Sequence, residues 1–258
     1  MLEFTENILR YYALFDAFNE NQENFEHIDI LCRIYETTKE ELSVSIAEYT
    51  NSQNPVQSRD IRSNDFTQKK LEKELLTLGY YYERKKGQYS GRPKAKRIDA
   101  EKAGQALLAF FSKLPAEAKN HKKIIFAEKY EEVFSDNVTA DSVLIVMKLF
   151  NEIESKKMKK KSRIMSDPKI YDEEAFILFS THYILYAISQ LADRQKLAKT
   201  QDNYSELIGM YDKAVELIKR AVSDERSKNE NREKYLHGVF FKSNKPKIFI
   251  QKYLDEGE

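Results

Sequence analysis

Asp65-Phe66-Thr67-Gln68 and, one helix length further on, Leu78-Gly79-Tyr80-Tyr81-Tyr82-Glu83-Arg84-Lys85-Lys86 form the stretch whose reading decides the fold class. Asp65 is a residue type that caps helix N-termini, and Gln68 stands three positions on, as in a capping box. Leu71, Leu75 and Leu78 recur at helical spacing and predict a buried stripe. Gly79 then supplies the residue type that ends helices. Tyr80–Lys86 reads as a strand, closed by a turn at Gly87 or at Ser90-Gly91. Alternation sends Tyr81 to the face opposite Tyr80 and Tyr82, so one face packs on the core. The other can stack on bases beside Arg84, Lys85 and Lys86. Helix and strand occur side by side here, which sets the fold class as α+β.

Outward from this stretch, helices dominate. Upstream, the spacing predicts a helix over 8–18, a strand over 27–35 and a second helix over 39–49. Downstream, Ile98 and Asp99 lead into a helix over 100–114. From Pro115 onward the periodicity predicts helices over 116–134, 140–154, 172–191, 204–223 and 246–254. Thr139 is placed to cap the second of these, with Asp141 favourable to its dipole. Six of the eight residues Lys156–Arg163 are basic. This run, ahead of Pro168, predicts a solvated basic linker near 156–168. The expected organisation is a small mixed α/β portion over 1–114 followed by a helical portion over 115–258.

Composition narrows the class further. Seven glycines, five prolines and no tryptophan among 258 residues fit a mostly helical chain with short connections. Apolar runs such as Val143–Met147 and Phe176–Phe179 are far too short to span a bilayer. The start of the sequence has no basic-then-apolar leader pattern, and Cys32 is the lone cysteine; both predict a cytoplasmic protein. Net charge is +1, yet residues 51–97 hold twelve Lys/Arg against five Asp/Glu, a local +7 that leaves −6 for the rest. That asymmetry predicts one face for a polyanion or an acidic partner.

The basic region contains the polar run Asn51-Ser52-Gln53-Asn54-Pro55-Val56 and Arg59-Asp60-Ile61-Arg62-Ser63-Asn64-Asp65. Amides offer a donor and an acceptor side by side to a base edge, and arginine grips phosphate in a bidentate way. Asn51, Gln53, Asn54, Arg59, Arg62 and Asn64, joined by Arg84 and Lys85, are therefore candidates for binding nucleic acid or a nucleotide. A structural reading stands beside this one: asparagines cap helix ends, and the arginines pair with Asp60 and Asp65. Asp65, Glu83 and Lys85 also match the carboxylate and Glu-x-Lys pattern of metal-dependent nucleases. Only that alternative calls for a cofactor, Mg2+. His27, His121, His182 and His237 make no zinc spacing, and no phosphate loop or nucleophile elbow is present.

Taken together, the polar run, the capped helix and Leu78–Lys85 resemble the AIPR proteins, the abortive infection phage-resistance family. The resemblance is concentrated in 28–88. It implies a bacterial, intracellular role in antiphage defence and no particular reaction. Family members tend to be longer and carry an upstream Asn-Gly-x-Gln-Thr motif that is not found here. A C-terminal portion or a shortened relative is therefore expected, with the missing half or another defence protein as partner. The remaining alternative is a non-catalytic helical interaction module within a larger effector.

Overall fold

A computed structural model describes residues 58–135, 137–228 and 235–256. The helices expected over 8–18 and 39–49, the strand over 27–35, Cys32, and the candidates Asn51, Gln53 and Asn54 lie outside them. The described residues belong to one compact unit spanning Gln57–Glu258.

This unit is predominantly helical with a small α/β portion, as the sequence predicts, and its strands form a parallel pair that the sequence does not announce. Helix α1 (Ser58–Arg62) leads into α2 (Phe66–Thr77), and strand β1 (Tyr81–Glu83) follows. After a 3-10 turn at Lys94–Lys96 come β2 (Arg97–Asp99) and α3 (Ala100–Phe110). The two strands run parallel, with Tyr81 opposite Arg97, Tyr82 opposite Ile98 and Glu83 opposite Asp99. Residues 84–96 supply the connection of about a dozen residues that parallel strands require. β2 escapes sequence reading because three residues are too few to show a period and its partner is distant in the chain.

α2 ends as expected and begins differently. Gly79 takes a left-handed φ of 77°. Tyr80 N–H donates to the Leu75 carbonyl at 2.9 Å and Gly79 N–H to that of Leu76 at 3.0 Å, which closes the helix in a Schellman motif. At the other end Asp65 has extended backbone but its side chain caps nothing. Asp65 Oδ2 instead accepts from Arg62 Nη1 at 3.0 Å. The predicted capping box fails because Gln68 is buried, and its Oε1 accepts the hydroxyl of the fully buried Tyr82 at 2.9 Å. A buried hydroxyl without a partner costs more than an exposed amide that water can satisfy. Leu71 and Leu75 are buried, but Leu78 is 51% exposed, since the chain leaves helical geometry one residue before it.

The remaining helices are α4 (Pro115–Asn120), α5 (Lys122–Ile125), α6 (Tyr130–Val133), α7 (Ala140–Ser166), α8 (Pro168–Glu174), α9 (Thr181–Arg194), α10 (Tyr204–Gly209), α11 (Tyr211–Lys228), α12 (His237–Phe240) and α13 (Lys245–Glu256). α9 is the axis of the core and packs against α3, α4, α7 and α11. The single helix predicted over 116–134 is instead three short pieces. Their breaks let Phe126, Tyr130 and Phe134 cluster at ring separations of 5.3–6.2 Å inside the core.

The predicted Thr139 cap of α7 forms, in a reciprocal pair with Ser142. The predicted basic linker does not. Residues 156–166 continue α7, because the run holds no glycine or proline and consists mainly of good helix formers. Ile153 and Ile164 are also buried on one side of it. The break falls at Asp167-Pro168, where Asp167 Oδ1 accepts from Lys169 N–H at 2.9 Å and starts α8. Among the described residues no single helix is long and apolar enough to cross a membrane. One bent pair, Pro168–Leu178 with Thr181–Arg194, passes the same test by composition, but its second member is the buried core helix α9.

Candidate functional site

Both arginines of the polar run are engaged within the fold, Arg59 in the interior and Arg62 at its half-exposed edge. Arg59 is 6% exposed. Its Nε donates to the Arg84 carbonyl at 3.0 Å, Nη2 to the Glu83 carbonyl at 2.5 Å, and Nη1 to Asp99 Oδ2 at 2.8 Å. Asp99 Oδ1 meanwhile caps α3 by accepting Lys102 N–H at 2.9 Å. Arg59 thus fastens α1 to the ends of both strands, and its donor fork is consumed by the fold. Arg62 pairs with Asp65 and lies 4.4 Å from the centre of the Tyr130 ring. Burial pushes the Tyr130 phenol up to about 12. For these two arginines, internal pairing is what the geometry displays, while the side chain of Asp60 lies outside the described residues.

The β1–β2 connection is organised from below by Glu72 on α2. Glu72 Oε2 accepts from Arg84 Nε at 2.6 Å. Its Oε1 accepts from Gln88 Nε2 at 2.6 Å and from the Tyr89 hydroxyl at 2.8 Å. Arg84 also donates to the Ser63 carbonyl and, at 3.3 Å, to Asn64 Oδ1. One carboxylate therefore ties three residues of the connection to the helix. Burial, then the Glu72 carboxylate, raises the Tyr89 phenol above its ordinary value. Gly87, with φ of 74°, makes the turn that brings Gln88 and Tyr89 back over Glu72.

What this frame presents outward is basic and aromatic. Residues 80–97 hold seven Lys/Arg and one acid, Glu83, which is buried. Lys85, Lys86, Arg92, Lys94 and Lys96 are exposed. None of these five is ion-paired with a carboxylate among the described residues. The Arg92 guanidinium lies 5.0 Å from the Tyr81 ring centre, and Lys96 Nζ 4.5 Å from that of Tyr80. Tyr81 and Tyr89 are half-buried neighbours, with ring centres 5.3 Å apart and planes tilted by 47°. Tyr82 faces the core, as the alternation predicts, and burial raises its phenol strongly.

Of the candidates read from sequence, the structure brings Arg59, Asn64 and Arg84 together as structural partners around β1 and leaves Lys85 exposed, with no ion-pair partner among the described residues. The nuclease set is not assembled as a metal cradle. Asp65 is held by Arg62, and Glu83 Oε1 accepts from Tyr89 N–H at 3.3 Å and Arg97 Nη1 at 3.4 Å. Among the described residues no group of three or more His, Cys, Asp or Glu is placed to hold a metal ion. Sequence reading missed Glu72 as the organiser, and Tyr89, Arg92, Lys94 and Lys96 as parts of the surface. The charge excess over 51–97 is a signal for the three cations, and none marks Glu72 or Tyr89.

The class defined by these features is a helical core carrying a short parallel strand pair with a rigidly held basic connection. The family description "AIPR protein" matches residues 11–230. The chain belongs to this family, which is associated with abortive infection and phage resistance. No curated protein and no solved structure matches it.

Proposed function

We propose that this chain acts in antiphage defence by binding nucleic acid through the β1–β2 connection. The observation that carries this reading is the set of five exposed cations, Lys85, Lys86, Arg92, Lys94 and Lys96, on a connection pinned by Glu72. Cations on a held backbone, with no carboxylate partner among the described residues, attract phosphates, and the connection itself pays little ordering entropy on binding. Family membership supports the defence role, and the local charge asymmetry supports the ligand class.

The structure also redirects the mutational test. Arg59→Ala would unfasten the strand ends whether or not a ligand exists, so it does not report on binding. The triple change Lys85→Glu, Lys86→Glu and Lys94→Glu touches exposed side chains only. Anisotropy of labelled DNA and RNA, titrated from low to moderate salt, reads both affinity and salt slope. The slope should fall by about one for each lysine that contacts a phosphate. Absence of binding at low salt, or a triple variant that binds like the parent, defeats the proposal.

A further inference from the structure

Resting on the nucleic-acid reading, we infer that the ligand is single-stranded and that one of its bases stacks on Tyr81 beneath the guanidinium of Arg92. Tyr81 points away from the core, opposite to the buried Tyr82. Its flank is set by Tyr89, whose ring centre is 5.3 Å away and whose hydroxyl is held by Glu72. The platform is thus already ordered, so little conformational freedom is lost when a base settles on it.

Arg92 decides whether the ring is available. It is exposed and lies over Tyr81 at 5.0 Å. An exposed cation–π contact of this kind is worth only about a two- to fivefold bias in an equilibrium. A base stacked on an aromatic ring contributes about fivefold to a hundredfold. A base therefore displaces the guanidinium outward, and the planar Arg92 can cover its second face. The result is a Tyr81–base–Arg92 sandwich, with Lys85, Lys86, Lys94 and Lys96 left for the flanking phosphates. Duplex bases are stacked on one another, so a duplex can engage the lysines but cannot reach the ring.

The experiment compares four probes on the same protein: a single-stranded oligonucleotide, a duplex, inorganic polyphosphate of matched charge, and a mononucleotide. The single strand should compete at least about fivefold better than the duplex or polyphosphate. The mononucleotide should bind measurably but more weakly, since it lacks the flanking phosphates. Tyr81→Leu should lower single-strand affinity by about fivefold to a hundredfold and leave polyphosphate affinity unchanged. Tyr81→Phe, which keeps the ring, should bind like the parent. Equal affinity for single strand, duplex and polyphosphate overturns the stacking inference while the basic surface survives. Failure of all four probes to bind overturns both readings. A loss in Tyr81→Phe equal to that in Tyr81→Leu also overturns stacking, because the ring would then be irrelevant. The parent comparison needs no variant, so a Tyr81→Leu protein that failed to fold would leave the decision intact.

Discussion

Replacing Glu72 by alanine tests the frame on which the basic surface rests. The carboxylate accepts three side-chain hydrogen bonds, from Arg84 at 2.6 Å, Gln88 at 2.6 Å and the Tyr89 hydroxyl at 2.8 Å. The Arg84–Glu72 pair is mostly removed from solvent, with side chains 15% and 16% exposed. Removing one partner of a fully buried pair costs about 3–5 kcal/mol, while exposed pairs contribute at most about 1 kcal/mol. Arg84 keeps the Ser63 carbonyl and Asn64 Oδ1 as acceptors, so its charge is not left bare. Gln88 is exposed and can turn to water. The expected loss is therefore about 2–4 kcal/mol, below the fully buried limit. For a unit of this size that lowers the melting temperature by roughly 4–16 °C. Glu72→Gln keeps the volume and one acceptor and should cost about half as much. Urea unfolding followed by far-ultraviolet circular dichroism is the suitable assay, because the chain has no tryptophan to follow by fluorescence. Glu173→Gln, an exposed change on α8, serves as the control and should stay within about 0.5 kcal/mol of the parent. A Glu72→Ala protein as stable as that control would refute the claim that this carboxylate holds the connection.

Two further outcomes follow from the core. Gly104 lies inside α3, where an added Cβ would meet Ile125 Cγ2 at 2.5 Å and the Phe134 ring at 3.2 Å. Gly104→Ala should therefore destabilise by about 1–3 kcal/mol despite alanine's better helix propensity, whereas Gly209→Ala, with open space around it, should be neutral or stabilising by up to about 1 kcal/mol; urea midpoints of the two variants decide. His237 is buried between the Tyr235 hydroxyl and Arg226, and burial lowers its pKa to about 4. The imidazole is neutral in the fold, so its contribution is intact above the unfolded value near 6.5, declines as pH falls through that value, and levels off below about 4. Stability should thus drop by about 2–3 kcal/mol between pH 6.5 and 4 from this residue. His237→Phe should flatten that limb in a pH series of unfolding curves, and an unchanged slope would count against the assignment.

Much of the helical frame was legible because it rests on local rules. Thr139 caps α7 and Gly79 stops α2 through contacts within a few residues, which the sequence alone displays. The apolar periodicity over 172–191 located the core helix α9 but not the 3-10 turn at Ala175–Leu178 that separates it from α8. The basic run at 156–163 suggests a linker by its charge, yet its helix propensity carries α7 through it. Buried Ile164 and the absence of any breaker before Pro168 keep it helical. The Asp65–Gln68 capping box failed for a different reason. The competing acceptor demand came from Tyr82, fourteen residues from Gln68, and no local rule contains it.

The sequence by itself determined the fold class, the family and the fact that positive charge concentrates over residues 51–97. These follow from composition, period and motif order, which need no knowledge of distant neighbours. Only the tertiary structure decided which cations are spent and which are free. Arg59 and Arg84 look as available as Lys85 in the linear chain. Yet carbonyls and carboxylates brought in from β1, β2 and α2 satisfy both arginines, while the Lys85 side chain is exposed and has no ion-pair partner among the described residues. A planar guanidinium with five donors can be enclosed when several acceptors converge on it, but a strongly hydrated ammonium on a flexible stem stays at the surface. That difference takes Arg59 out of the candidate interface and leaves the exposed cations of the connection held by Glu72 as its described part.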